Sequence, residues 1–215
     1  MADWATIASV GTAAGTMVLG VATFASVRSA QRAARVAERS LLVGLRPVLM
    51  PSRPDDPTER VMWGDGFSMN LAPGTVRIEE REGIIYLAMA LRNVGPGLAV
   101  LRGWHLGPLE GWAAAQPRED LESFRLLQRD LYIPAGDTGI WQGVVRDAEG
   151  PLRQQVSAAL TGDRLKLELL YGDHEGGQPT VSRFFVERQP EGDDWLASAS
   201  RHWILEPDAA RFLQH

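Results

Sequence analysis

The sequence predicts a mainly β fold: an antiparallel, sandwich-like β domain with one or two short helices, preceded by a long N-terminal transmembrane helix and stalk. Three observations predict it. Residues 5–27 form an uncharged, proline-free run, arginines crowd residues 28–46, and from residue 59 onward short apolar stretches alternate with Gly, Pro, Asn and Asp. The last pattern is the strand-and-turn rhythm of an antiparallel domain.

The run from Ala5 to Val27, at about 1.5 Å per helical residue, reaches roughly 35 Å, the thickness of a bilayer core. Ala, Gly, Thr and Ser outnumber the large apolar residues in it, so insertion is expected to be only moderately favourable. An export signal would open on basic residues, whereas this run follows Asp3 and Trp4. Residues 1–27 are therefore read as a single-pass anchor in the cell membrane. All nearby arginines lie on its C-terminal side, which places the following domain in the cytoplasm. Gly11 and Gly15 make a GxxxG pair, and Ala8, Thr12, Thr16 and Gly20 make a second row of small residues. Small side chains let helix backbones approach closely, so these six are the expected helix-packing residues and self-association is expected.

No breaker interrupts the chain from Val27 to Gly44, and residues 28–46 are read as a helical stalk. At 100° per residue Arg28, Arg32, Arg35, Arg39 and Arg46 fall within about 60° of one another. This stripe suits anionic lipid headgroups, each arginine near the surface contributing on the order of 1 kcal/mol. It serves equally as a topology signal. Gly44 and Pro47 end the helix. Residues 47–58, with Pro51, Pro54 and Pro57, are read as a linker, and 59–215 as one β domain.

Charge and composition exclude several functions. The formal charge of −5 divides into −1 for residues 1–27, +4 for 28–46 and −8 for the rest. A domain that negative repels phosphate backbones, so nucleic acid is not an expected partner. With no cysteine, disulfides, thiolate metal sites and cysteine nucleophiles are absent.

Within the domain, strands are expected at 60–63, 76–78, 84–92, 98–106, 132–134, 138–145, 164–171, 181–187 and 195–205. Helices are expected at 117–128, where Leu121, Phe124 and Leu127 share a side, and at 151–160, where Leu152, Val156 and Ala159 do; each opens on a proline. Leu91 to Ala99 around Asn93-Val94-Gly95-Pro96-Gly97, the turn Ile133 to Asp137, and Tyr171-Gly172-Asp173 together resemble uncharacterised bacterial proteins that pair one N-terminal membrane helix with a β-sandwich. The resemblance implies a sandwich and a tethered location, and no established activity, cofactor or catalytic residue.

The densest polar cluster is Asp173-His174-Glu175, followed by two glycines. Asp, His and Glu are metal ligands and acid–base groups, with His202 or His105 as a further contributor. The same residues with Gly176 and Gly177 also make a hairpin turn, and that reading is preferred. Asn93 to Gly97 lacks the lysine and helix of a phosphate loop and is read as a turn. Ser182 sits in a strand pattern and no nucleophile elbow is present. The tryptophans are read as core. No catalytic, cofactor or metal-binding residue is assigned, and no cofactor is implied. The leading expectation is a membrane-tethered interaction or assembly module, with membrane lipids and a protein partner or a second copy as its contacts. The alternative is a membrane-anchored metal-dependent or hydrolytic enzyme using Asp173, His174, Glu175 and His202.

Overall fold

The computed structural model describes residues 4–109, 116–175, 178–190 and 194–206, with the side chains of 4–14, 39, 42 and 43 also outside the described set. The chain divides into two units, Met1–Gly44 and Leu45–His215.

The first unit is one helix, α1 (Trp4–Gly44). Its described side chains in the uncharged stretch 15–27 are all exposed, Met17, Leu19 and Phe24 by 73%, 70% and 67%. Among the described residues no helix is long and apolar enough to cross a membrane. The first half of the predicted anchor lies outside the described side chains.

The second unit is mainly β. Its strands are β1 (Leu49–Pro51), β2 (Glu59–Met62), β3 (Ser68–Leu71), β4 (Thr75–Arg81), β5 (Ile84–Asn93), β6 (Ala99–Pro108), β7 (Arg125–Ile133) and β8 (Thr138–Val145). After α2 (Pro151–Leu160) come β9 (Arg164–Gly172), β10 (Thr180–Arg188) and β11 (Asp194–Ile204). Nine of the described strands form one curled antiparallel sheet in the order β1-β5-β4-β11-β10-β9-β6-β7, with β8 also paired to β5. β2 and β3 form a separate hairpin. β1 falls inside the stretch read from sequence as a linker, where Leu49 is fully buried and pairs with Asn93.

The sheet curls around a core drawn from β4, β5, β6, β8, β9, β10 and β11, including Leu87, Met89, Trp104, Trp141, Leu167 and Phe184. Strand β5 is buried on both faces. Ile85, Leu87, Met89 and Leu91 point into this core, while Tyr86, Ala88 and Ala90 support the β2–β3 hairpin through Val61, Trp63, Met69 and Leu71. Small alanines at 88 and 90 leave room for that second layer, which explains a run that is apolar at nearly every position. The β4–β5 connection is a two-residue turn with positive φ at both Glu82 (52°) and Gly83 (79°), the geometry that matches strand twist. Trp63, Trp104, Trp141 and Trp195 are buried, Trp203 is partly so, and Trp112 lies outside the described residues.

The hairpin is pinned by Asp65, whose carboxylate accepts from Tyr86 Oη at 2.8 Å and Arg146 Nη1 at 2.7 Å. The Arg146 hydrogen bond, then the Tyr86 hydrogen bond, lower the Asp65 pKa to about 2. A depressed carboxylate contributes stability that is complete above its unfolded value of about 3.9 and lost as pH falls toward 2. Asp65→Asn is therefore expected to flatten the acid limb of an unfolding curve between about pH 4 and 2; an acid limb identical to that of the parent would refute the assignment.

The predicted helix at 117–128 is not formed. A short 3-10 turn covers Leu121–Ser123 and β7 begins at Arg125. The apolar residues that shared a helical face serve different places: Phe124 and Leu121 pack with Leu170 and Val181, whereas Leu127 packs against the main core. Helix α2 forms where expected and buries Val156 and Ala159.

The Asn93 to Gly97 loop links β5 to β6, two strands that do not pair with each other. Its glycines are dictated by contact. A Cβ on Gly97 would lie 1.7 Å from the Leu45 carbonyl oxygen, and one on Gly95 would lie 2.4 Å from the Arg46 oxygen and Val48 nitrogen. The loop closes backbone to backbone on the start of the domain.

Candidate functional site

The tip between β9 and β10 carries the predicted polar cluster. Asp173 is buried and turned inward, its Oδ1 accepting from the Glu175 amide at 3.1 Å and its Oδ2 from Gln178 Nε2 at 3.3 Å. Gln178 has φ of 47° and accepts from Arg46 Nε at 3.1 Å, tying the tip to the start of the domain. His174 and Glu175 are exposed, and Gly176 and Gly177 lie outside the described residues. His202 stands on β11 opposite Ser182. Among the described residues no group of three or more His, Cys, Asp or Glu is placed to hold a metal ion.

His202, itself exposed, instead ends a hydrogen-bond chain that runs into the buried Ser182 and Tyr171 and that sequence reading missed. The Leu49 amide donates to Tyr171 Oη at 3.2 Å, Tyr171 Oη lies 2.7 Å from Ser182 Oγ, and Ser182 Oγ lies 2.6 Å from His202 Nδ1. Burial raises the Tyr171 pKa and lowers that of His202, so both are neutral near pH 7. Ser182 is fully buried between two strands, which denies it to a substrate. The chain is a cross-strand tie linking β1, β9, β10 and β11.

A second polar group lies on the face of β6, β9 and β10 turned away from the main core. Register places His105 opposite Glu168, and Glu168 opposite Arg183. Arg183 Nε donates to Glu168 Oε1 at 2.7 Å with both side chains buried, and its remaining nitrogens donate to the carbonyls of Gln116 (3.0 Å) and Pro117 (2.6 Å). The guanidinium also stacks 4.8 Å from the Trp203 ring. Glu168 Oε2 accepts from the Glu119 amide at 3.2 Å, and Lys166 pairs with Glu119. Burial would raise the Glu119 pKa, but the Lys166 hydrogen bond and charge outweigh it and leave the group lowered.

Beside this group lies a cleft of about 420 Å³ bordered by His105, Glu119, Gln155 and Lys166. Gln155 Nε2 donates to the Leu106 carbonyl at 2.9 Å and lies 2.7 Å from His105 Nε2, so that ring nitrogen accepts and Nδ1 carries the proton. Burial lowers the pKa of His105 and keeps it neutral. Among the described residues the Nδ1 donor has no hydrogen-bond partner, and it is sealed from solvent. The signal for this cluster was present in β9: Lys166 and Glu168 alternate with Leu165, Leu167 and Leu169, which marks charges on the face opposite the core.

On α1, Gly15 and Gly20 have open space where a Cβ would stand, and Thr16, Arg28, Arg32 and Arg35 are exposed. The side chains of Ala8, Gly11, Thr12 and Arg39 lie outside the described set.

No family model matches the chain, and comparisons with curated proteins and with solved structures return no significant match.

Proposed function

We propose that the chain is a membrane-tethered interaction or assembly module, anchored by its N-terminal helix in a single pass, with its β domain at the cytoplasmic face. The observation that carries this reading is the exposure of α1. In residues 15–27 there is no charge, and Met17, Val18, Leu19, Val21 and Phe24, which point to several sides of the helix, are each at least 65% exposed. A helix with no charge on any side and large apolar side chains exposed on several is best satisfied by an apolar surrounding. Lipid supplies one, and the arginines that begin at Arg28 fall where a cytoplasmic interface would lie. The small residues Gly11, Gly15, Ala8, Thr12, Thr16 and Gly20 then serve helix pairing, and Arg28, Arg32, Arg35 and Arg39 meet anionic headgroups. A sandwich-like reading of the domain is supported by the Asn93–Gly97 arch and by the β2–β3 layer on β5.

The chain is expected to remain in the membrane pellet after alkaline carbonate washing and to be released by detergent. A reporter active only outside the cytoplasm, fused after His215, is expected to give no signal. Release by carbonate alone would overturn the anchor, and a strong reporter signal would reverse the topology.

A further inference from the structure

We propose that the open seam between β7 and β8 is a docking groove for an extended acidic segment of a partner protein, which inserts as an added strand. The proposal deepens the interaction-module reading and rests on it.

Strands β7 and β8 are consecutive and joined only by residues 134–137, the connection length of a hairpin. They nevertheless form no ladder with each other. β7 pairs with β6, β8 pairs with β5, and among the described residues neither has a second strand partner. Two backbone edges therefore flank one gap. At the turn the strands are close, since a Cβ on Gly139 would lie 2.7 Å from the Ile133 side chain. Farther along, indoles hold them apart. Trp104 of β6 packs edge-on against Trp141 of β8 at 5.4 Å, and its ring lies 3.3 Å from a Cβ position on Gly143. Trp63 donates to the Gly143 carbonyl at 3.3 Å. The result is a cleft of about 420 Å³ lined by Trp63, Trp104, β7 residues 125–129 and β8 residues 142–144.

The β7 edge, and the β8 edge apart from the Gly143 carbonyl held by Trp63, offer amides and carbonyls to an extended peptide, whose alternate side chains would pack toward the edges of the two indoles that line the cleft. The charge of the groove selects its occupant. Arg125, Arg129 and Arg146 line it, and among the described residues no carboxylate does. Arg146 is paired with Asp65, while Arg125 and Arg129 are exposed on the β7 edge. Such a lip stands out in a part of the chain that otherwise carries net negative charge, and it steers an acidic segment.

The test uses the detergent-solubilised full chain and a randomised ten-residue peptide library. Selected peptides are expected to alternate Asp or Glu with apolar residues, to lack proline and to shift tryptophan emission on binding. By fluorescence anisotropy, Arg125→Glu with Arg129→Glu is expected to weaken a selected peptide at least tenfold, and Arg125→Ala with Arg129→Ala less. N-methylation of alternate peptide amides is expected to abolish binding. Circular dichroism of each variant reports folding. Failure to enrich any peptide, or binding indifferent to both the alanine pair and N-methylation, would overturn the groove. So would a dimer of the chain that the alanine pair dissolves, because the seam would then hold a second copy. Peptide binding by a chain that carbonate releases from membranes would leave the groove standing and remove the anchor, so the two failures are distinguishable.

Discussion

Asn93→Ala is expected to destabilise the full chain by about 3–5 kcal/mol, because each buried polar group left without its partner costs about 1–3 kcal/mol. Asn93 is fully buried and uses its whole amide. Its Oδ1 accepts from the Val48 amide at 3.2 Å and the Gly95 amide at 3.0 Å, and its Nδ2 donates to the carbonyls of Gly97 at 2.6 Å and Ile133 at 3.0 Å. One side chain thus joins the segment before β1, the β5–β6 arch and the end of β7. Alanine removes four bonds and leaves a gap too enclosed by backbone to collapse. Asp at this position retains the acceptors but turns a carboxylate toward two carbonyl oxygens, so it is expected to rescue little. Val94→Ala, at an exposed neighbour, is expected to stay within about 0.5 kcal/mol. Guanidinium unfolding of the detergent-solubilised chain, followed by tryptophan emission, measures all three. A loss below about 1 kcal/mol for Asn93→Ala would mean that water replaces the amide and that the arch is not held by it.

The role of Asn93 shows which part of the fold was legible in the chain and which was not. The turn chemistry of Asn93 to Gly97 was readable, since Asn, Gly and Pro punctuate strands for local reasons. That the loop is an arch between unpaired strands was not, because pairing partners are chosen by contacts distant in sequence. The same distinction separates the two predicted helices. Residues 151–160 carry a helical stripe whose members meet one core, whereas the stripe at 117–128 is divided between two clusters once the sheet is assembled. Spacing alone cannot tell one destination from two. For the candidate site, the polar tip at Asp173 to Glu175 was visible as a run of neighbours, yet Asp173 is turned inward on the turn while His174 and Glu175 face solvent. The groups that the fold does bring together, His105, Glu168 and Arg183, are separated along the chain and meet only through strand register. Alternation in β9 announced charges on the outer face, but not which residues would meet them.

Arg183→Ala is expected to cost about 3–5 kcal/mol, the range for removing one partner of a buried ion pair, because Glu168 is left charged and enclosed. The side chains are 1% and 0% exposed, so water does not reach the stranded carboxylate. Two further losses accompany it. The carbonyls of Gln116 and Pro117 lose their donors, and the Trp203 ring loses the guanidinium on its face. Glu168→Gln should cost less than Arg183→Ala, since its amide oxygen still accepts from Arg183, although the NH2 that replaces Oε2 can no longer accept from the Glu119 amide. The decisive comparison is the double variant Arg183→Met with Glu168→Leu, measured against the two single changes in a mutant cycle. If the pair acts mainly by cancelling its own charges, the double variant recovers most of the stability lost in Arg183→Met alone, as apolar replacements of buried pairs do. If instead the arginine acts mainly by holding residues 116 and 117 against the sheet, the double variant stays as unstable as the single one, and the Lys166–Glu119 contact beside it loosens. The bonds to two backbone carbonyls favour the second outcome, with the double variant remaining at least about 2 kcal/mol below the parent, the cost of two carbonyls left unpaired at about 1 kcal/mol each. Full recovery in the double variant would refute the clamp and leave the ion pair as a replaceable core feature.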